Sequence, residues 1–345
     1  MTNLNQNLHL VKMWKCETFY NHNLCYKRFY LKVDIKQNPI RIDKFLVNMI
    51  QHPTRSKIKN AIKSGKILVN DIPVKQNYIV KFKDDVSFIM KDPVFNVIAE
   101  NIPLNIVYED EYLLVINKPT AMAMYPGNGN YDGTLLNALK YYLKKQDPCQ
   151  RMGIVHRVDK DTSGLIVVAK DNYNFQHLSR QFFCKNTQRY YLALVWGNIE
   201  KSGKISGNIG RSLRNRTIMK VFPDGSLGKP AVTYYKIREQ FSSVTLLKCR
   251  LETGRTHQIR AHFKYIGHPL FNDIQYGGNK ILKGTFSKEY QQFVKNCFSF
   301  LHGQFLHAQS LNFIHPISNK NMYFEVSLPK EMNEVIKKWR SYSSL

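Results

Sequence analysis

Nine consecutive residues, His156-Arg157-Val158-Asp159-Lys160-Asp161-Thr162-Ser163-Gly164, form the densest polar run in the chain, with only Val158 apolar. Apolar Ile154-Val155 precedes the run and the strand-like Leu165-Ile166-Val167-Val168-Ala169 follows it. The loop therefore belongs at the rim of a core, where a rigid scaffold can hold reacting groups. A carboxylate placed there and paired with a cation can serve as a nucleophile. A second cluster, Leu251-Glu252-Thr253-Gly254-Arg255-Thr256-His257-Gln258-Ile259-Arg260-Ala261-His262, supplies two Arg and two His within its last eight residues. The simplest combination sets Arg255 beside Asp159, holding it ionised in a partly desolvated pocket. A bland reading stands beside it: Asp159 or Asp161 closes an Asx-turn, and the arginines are surface charges. His257 and His262 have no third ligand at a suitable spacing, so hydrogen-bonding roles are expected of them and no metal site.

The elements that must position these loops are legible in the flanking patterns. Ile42, Phe45, Leu46, Met49 and Ile50 recur as one face of a helix. Thr54 is an N-cap for a second helix with Ile58, Ala61 and Ile62 inward, and Gly65 stops it. On that helix Arg55, Lys59 and Lys63 fall at i, i+4 and i+8, with Lys57 and Lys66 nearby. Between residues 41 and 91 eleven Lys or Arg stand against four Asp, a one-sided basic module of the kind that meets RNA, or else a solvated face. Strands are expected at 66–70, 78–82 and 86–90, around a turn at Asp71–Pro73. Residues 1–39 show no sustained period beyond a strand near Phe29–Ile35, and read as an extension. Residues 92–102 read as a linker. Ile106 to Pro119 is a turn and an apolar strand; Gly127, Gly129 and Gly133 mark a loop, after which Thr134 caps a helix carrying Leu135, Leu136, Leu139 and Leu143. From there to the C-terminus strands and helices mix without regular βαβ alternation, which predicts an α+β domain with a mostly antiparallel mixed sheet.

A chain of 345 residues, 43 % apolar, is long enough for two domains and a sizeable core. It holds no apolar run of the roughly 18–20 residues a membrane span needs, and its first residues lack a secretory apolar stretch. Six scattered cysteines without a C-x-x-C pair speak against a disulfide framework and suit a reducing compartment. The cytoplasm is the expected location, with no membrane partner. A formal net charge of +26 favours a polyanionic partner, because each phosphate neutralised releases condensed counterions. Abundant Lys, Asn, Ile, Tyr and Phe also suit AT-rich coding DNA, so composition supplies part of that excess.

Two resemblances rest on these residues. Arg41-Ile-Asp-Lys-Phe-Leu, Thr54-Arg-Ser-Lys-Ile and Gly65-Lys-Ile-Leu-Val-Asn70 resemble a small α/β S4-like RNA-binding domain, over 40–91. His156-Arg-Val-Asp-Lys-Asp-Thr-Ser-Gly164 is similar to the H-R-[LI]-D-x-x-T-S-G signature of RluA-type RNA pseudouridine synthases. Arg189-Tyr-Tyr191-Leu-Ala and Leu251-x-Thr-Gly-Arg255-x-His-Gln-Ile-Arg260 match two further family segments, with lesser matches at Lys118-Pro119, Gly267-His-Pro-Leu270, Tyr276-Gly277, Leu306-His307-Ala308 and His315-Pro316. Tyr125-Pro126 departs from the His-Pro of many relatives, and Val158 from Leu or Ile.

The resemblance implies a synthase domain over 103–340 that isomerises uridine to pseudouridine, with no cofactor, metal or nucleotide. It implies that Asp159 is the nucleophile, Arg255 its partner, Tyr191 the ring that stacks on the base, and Arg157 the side chain that fills the place the base vacates. Arg41, Arg55, Lys57, Lys59 and Lys63 would hold RNA, and the domain order points to large-subunit ribosomal RNA and a monomer. Transfer RNA is the alternative substrate, and a non-catalytic RNA-binding ribosome-assembly protein the alternative role. Asp159-Lys-Asp161-Thr162 also fits the D-x-D-x-T motif of haloacid-dehalogenase-type phosphotransferases. That motif directly follows an apolar strand, whereas here His156-Arg157 interrupts the lead-in.

Overall fold

The computed structural model describes residues 11–21, 24–33, 39–49, 55–91, 97–127, 129–143, 153–285 and 287–344. It divides into two compact units, Met1–Asn96 and Val97–Leu345. The first contains β1 (Val11–Asn21), β2 (Leu24–Val33), α1 (Ile42–Met49), α2 (Arg55–Lys63), β3 (Ile67–Val69), β4 (Ile72–Pro73) and β5 (Asp85–Lys91). Its strands pair antiparallel in the order β1-β2-β5-β3-β4. The helix faces expected from spacing pack on this sheet: Ile42, Phe45, Leu46, Ile58 and Ile62 share a core with Leu31, Val33, Val86 and Phe88. Gly65 ends α2 at φ +66°, a left-handed turn that suits glycine.

Two local expectations fare differently. The residues read as an extension contribute β1 and β2, the second taking in most of the strand expected near Phe29–Ile35; Leu31 pairs with Val86, a partner far along the chain. Tyr78–Phe82 makes only an isolated bridge, Arg41 with Ile79. Asp84 explains this: its carboxylate accepts from the Tyr78 hydroxyl at 2.9 Å and the Lys81 amide at 2.7 Å, turning the chain. The expected cap Thr54 lies outside the described residues.

The second unit contains β6 (Ile106–Glu109), β7 (Leu113–Lys118), α3 (Leu135–Tyr142), β8 (Ser163–Ala169), α4 (Asn172–Phe183), β9 (Gln188–Trp196), β10 (Gly203–Arg211), β11 (Met219–Phe222), β12 (Lys229–Gln240), β13 (Val244–Leu251), α5 (Gln258–Tyr265), α6 (Lys288–Ser299), β14 (Leu306–Ile314), β15 (Asn321–Glu325) and α7 (Lys330–Ser343). One mixed sheet runs β11-β10-β12-β13-β9-β14-β8-β7-β6, with β15 on β14. Among the described strand pairs only β8 and β14 are parallel, meeting at Ser163–His307 and Gly164–Ala308. The protein is of the α+β class.

Both faces of the central strands are covered, which is why they read as continuous apolar runs. Along β9, Tyr191, Ala193 and Val195 enter one core with Leu135 and Leu139 of α3 and Ile259 and Phe263 of α5. Leu192, Leu194 and Trp196 enter another with Val294 of α6 and Val335, Ile336 and Trp339 of α7. Among the described residues no helix is long and apolar enough to cross a membrane.

Candidate active site

The loop that carries Asp159 is fastened at almost every residue, and alternation does most of the fastening. Ile154 and Val158 are buried in the central core, and Ile154 bridges Val168. His156 turns inward too: its Nε2 accepts the Val167 amide at 3.1 Å, a strand edge that β14 no longer covers, and its ring stacks on Phe182 at 4.5 Å. Burial pushes this imidazole down to about 3, with Arg189 adding to the effect, so it serves as a neutral acceptor. Arg157 and Asp159, the alternate residues, face outward, Arg157 exposed and Asp159 half-buried.

From below, Lys118 is fully buried. Its three N–H bonds match three carbonyls, Pro119 at 2.7 Å, Met122 at 2.9 Å and Lys160 at 3.0 Å. Burial drags its pKa down to about 7, against the pull of Asp161 and Asp159. The glycine-rich loop adds Asn130, whose Oδ1 accepts from Lys160 Nζ at 2.7 Å, and Tyr125, whose hydroxyl donates to Ile154 O at 3.3 Å. The far end is pinned by Gln304 Nε2 on Thr162 Oγ1 at 3.1 Å and by Ser163 Oγ against His307 Nδ1 at 2.8 Å. Asp161 is also half-buried, its pKa raised by burial.

The cation that meets Asp159 is Arg260. Its Nη1 lies 3.0 Å from Asp159 Oδ2, while Nε and Nη2 hold Asp273 Oδ2 and Oδ1 at 2.7 and 2.8 Å. Nη2 also donates to Gln275 Oε1 at 2.8 Å. Burial alone would lower the guanidinium, but the Asp273 and Asp159 carboxylates raise it above its usual value. Arg260 sits in the first turn of α5 with its side chain only 5 % exposed, beside fully buried Asp273. Arg255, expected in this place, lies before the helix, half-exposed, and its Nε donates to Pro230 O at 3.1 Å. The pairing expected of Arg255 is thus corrected to Arg260. A signal for it was present: a buried guanidinium needs several acceptors, and Asp273 and Gln275 follow closely in the Gly267–Gly277 segment.

Gln258 builds the turn that delivers Arg260. Its Oε1 accepts from Thr253 Oγ1 at 2.7 Å and the Arg255 amide at 3.0 Å, and its Nε2 donates to Val232 O and Thr233 Oγ1, both at 3.0 Å. His257 enters α5 at φ +50°, a left-handed conformation that is costly for a non-glycine residue and persists where surroundings enforce it. Here Tyr276 enforces it: its hydroxyl accepts the Met219 amide at 2.9 Å and lies 3.1 Å from His257 Nδ1. On the other side of the ring, His257 Nε2 lies 3.9 Å from Asp159 Oδ1. His257 and His262 both take hydrogen-bonding places, His262 Nδ1 lying 2.9 Å from Thr233 Oγ1.

Tyr191 is central in β9, opposite Cys249 and Ala308. It is 5 % exposed. Burial raises its phenol pKa; Arg189 opposes this and the Asp159 charge adds to it. Asp159 and Arg260 are thus brought together from separate motifs, and Tyr191, from a third, shares a core with Val158 of the Asp159 loop. The basic residues of the first unit are distributed otherwise. Arg41 spends its guanidinium on buried Asp43 at 3.1 Å from both oxygens, Lys59 is half-buried and Lys63 exposed. The side chains of Arg55 and Lys57 lie outside the described residues.

Residues 112–265 match the model of the RNA pseudouridylate synthase family, and residues 40–86 match the S4 domain. An RNA pseudouridine synthase of Chlorobaculum parvum is 41 % identical over 319 residues, covering 90 % of this chain and 97 % of its own. The chain belongs to the RNA pseudouridine synthase family. Another relative, the ribosomal large subunit pseudouridine synthase D of Zymomonas mobilis, is 40 % identical over 307 residues, covering 86 % of this chain and 93 % of its own. The fold of the synthase unit is shared with the human RNA pseudouridylate synthase domain containing 4 protein, at TM-score 0.54 and 21 % identity over 68 % of this chain and 93 % of that one. As a pseudouridine synthase the protein is an isomerase with RNA as its partner. Its loop at 156–164 leads into strand β8 rather than following one, the reverse of the order a D-x-D-x-T phosphotransferase requires.

Proposed function

We propose that this synthase isomerises uridines of large-subunit ribosomal RNA with Asp159 as nucleophile. The reading is supported above all by the Asp159–Arg260 ion pair at 3.0 Å, whose cation is immobilised by Asp273. The reaction breaks the bond from N1 of uracil to the ribose anomeric carbon and makes one from C5 to that carbon. A proton leaves C5 and one arrives at N1, so nothing is oxidised and no group is imported. Asp159 lends its electron pair either to the anomeric carbon or to C6 of the ring, and takes it back when the carbon–carbon bond has formed. Both routes need one carboxylate oxygen held and the other left open. Arg260 holds Oδ2 and leaves Oδ1 without a partner that close, His257 Nε2 standing 3.9 Å away.

The base must leave its stack first, at a cost of about a few kcal/mol that is smaller in loops. Exposed Arg157 occupies the vacated place and meets phosphate, while Tyr191 gives the base an aromatic face. Exposed Lys63 and half-buried Lys59, with Arg55 and Lys57 on the same helix, add sequence-tolerant affinity. Arg255 steers the backbone at the rim of the site. The name of the Zymomonas mobilis relative supports ribosomal RNA as the substrate. We place the working protein in the cytoplasm as a monomer.

The test joins a variant to a map. Asp159→Asn should abolish pseudouridine formation and keep RNA affinity within about twofold, measured by tritium release from C5-labelled transcripts and by filter binding. Carbodiimide-dependent reverse-transcription stops in total RNA should disappear from large-subunit ribosomal RNA when the gene is deleted. Stops lost only from transfer RNA would overturn the substrate, and an active Asp159→Asn would overturn the nucleophile.

A further inference from the structure

Strand register alone aligns a row of side chains across four strands of the synthase unit. Tyr190 of β9 stands opposite Arg250 of β13, Arg250 opposite Tyr234 of β12, and Tyr234 opposite Lys204 of β10. Directly opposed residues share a sheet face, and neighbours along a strand take opposite faces. Since Tyr191 enters the core beneath the catalytic loop, the Tyr190 row lies on the reverse side of the sheet. Helices α6 and α7 cover the other end of that reverse face, over Leu194, Trp196 and Leu246. Beyond them Tyr190, Tyr234, Lys248 and Arg250 are only half-buried, and Lys204 and Lys236 are exposed.

The row is organised as cations over rings. Lys248 Nζ lies 4.8 Å from the centre of the Tyr190 ring, and Arg250 Cζ lies 4.3 Å from that of Tyr234. Lys236 and Lys248 stand directly opposite each other, a like-charge pair that costs a sheet stability unless an anion sits between them. Two acids flank the row and are engaged: Glu252 accepts from the Tyr234 hydroxyl and from Lys185 Nζ, each at 3.1 Å, and Glu325, aligned with Tyr190 through Ser310, accepts from the Tyr323 hydroxyl. Among the described residues none of Lys204, Lys236, Lys248 and Arg250 makes an ion pair. Four cations that make no close ion pair, set among two aromatic rings on a sheet surface, match the chemistry of a nucleic-acid strand: phosphate for the cations, bases for the rings.

We propose that this row is a second RNA-binding surface, on the sheet face opposite the catalytic pocket, which holds a single-stranded segment of the same large RNA that presents the target uridine. The proposal rests on RNA being the substrate and adds that the substrate is large enough to reach two faces of the enzyme. A short stem-loop fills only the catalytic side.

The test uses the full chain and two probes: a transcript of a whole ribosomal RNA domain containing the modified uridine, and a stem-loop of about twenty nucleotides around it. The triple variant Lys204→Glu, Lys236→Glu, Lys248→Gln changes two exposed lysines and the half-buried one over the Tyr190 ring, and an unchanged thermal midpoint checks that the sheet is intact. The variant should weaken binding of the long transcript at least tenfold, and should lower the dependence of log affinity on log salt by about two, as loss of three cations from a single-strand site predicts. Its kcat/KM on the stem-loop should stay within twofold of the parent. Ultraviolet cross-links from 4-thiouridine in the long transcript should map to the peptides that hold Tyr190 or Tyr234. Unchanged affinity and salt slope would show a merely solvated face, and equal losses on both probes would make the row part of the catalytic footprint; either overturns the proposal. Retention of the parent but not the variant on polyglutamate, with RNA binding unaltered, would assign the face to an acidic protein and overturn it too. An active Asp159→Asn protein would sink the nucleophile reading while leaving the row variant's loss intact, so the two failures are separable.

Discussion

Replacing Arg260 by Lys keeps a positive charge but removes the planar fork that reaches Asp159 through Nη1 while holding Asp273 through Nε and Nη2. Charge-assisted hydrogen bonds of this kind are worth roughly 1.5–3 kcal/mol each, and a lysine can keep one or two. Arg260→Lys should therefore lower kcat by about 100-fold or more with little change in KM, in single-turnover assays. Arg260→Ala leaves buried Asp273 without its cation and should cost about 3–5 kcal/mol of stability, read by urea denaturation. Arg255→Ala removes only a half-exposed donor to Pro230 O. It should lower kcat by less than about tenfold, which separates the two arginines of one motif. Lys118, never more than a lesser match in the sequence, emerges here as the buried ammonium that ties the nucleophile loop to the strand below it.

At the scale of elements, the parallel meeting of β8 and β14 is the joint on which the site hangs. Gly164 adopts φ +111°, and a Cβ built there would stand 2.2 Å from Ala308 O. The glycine that closes the Thr-Ser-Gly signature is thus demanded twice, by conformation and by close approach of another backbone. Gly164→Ala should force β8 from β14 immediately after the nucleophile loop, lowering stability by about 2–4 kcal/mol and abolishing detectable turnover. Gly267, at φ +85° with nothing within 4 Å of a built Cβ, provides the control: alanine there should cost only about 1 kcal/mol. Thermal unfolding of both variants checks the contrast. Helices α1, α2 and α3 were legible because their apolar faces repeat with the helical period and because Gly65 and Thr134 mark an end and a start. Of the β1–β2 hairpin only the stretch near Phe29 was, since its pairing with β5 is decided by a strand more than fifty residues on.

For the whole molecule, three buried histidines set the response to acid. Burial pushes His156 down to about 3 and His262 and His307 to about 4, all below the unfolded value of about 6.5. The unfolded chain therefore binds more protons than the folded one as pH falls below about 6.5. The stability these neutral imidazoles contribute is complete above that pH and is lost on acidification toward 4, at about 1.4 kcal/mol per pH unit for each group. Urea midpoints should be flat between pH 7 and 8 and fall steeply from pH 6 to 5. His156→Gln, whose amide can still accept the Val167 N–H, should make that fall shallower by about one proton; an unchanged slope would contradict the buried neutral state. The charge of +26 acts at this same scale, and the two RNA-binding surfaces proposed above draw on cations of the first unit's helix and of the sheet's reverse face.

By itself the order of residues determined which polar groups are gathered into two short loops. His156 to Gly164 and Thr253 to Arg260 are contiguous, and a tight loop keeps its donors and acceptors near one another whatever the rest of the chain does. Tertiary structure alone decided which cation meets the carboxylate. Asp159 and Arg260 are 101 residues apart, and the choice between Arg255 and Arg260 depends on where α5 begins, on Gln258 locking its entry to β12, and on Asp273 arriving from a third segment. Those are long-range packing outcomes. A buried guanidinium goes where most acceptors converge; Asp273 and Gln275 hint at that place in the sequence, but only the packing of distant strands brings Asp159 to it.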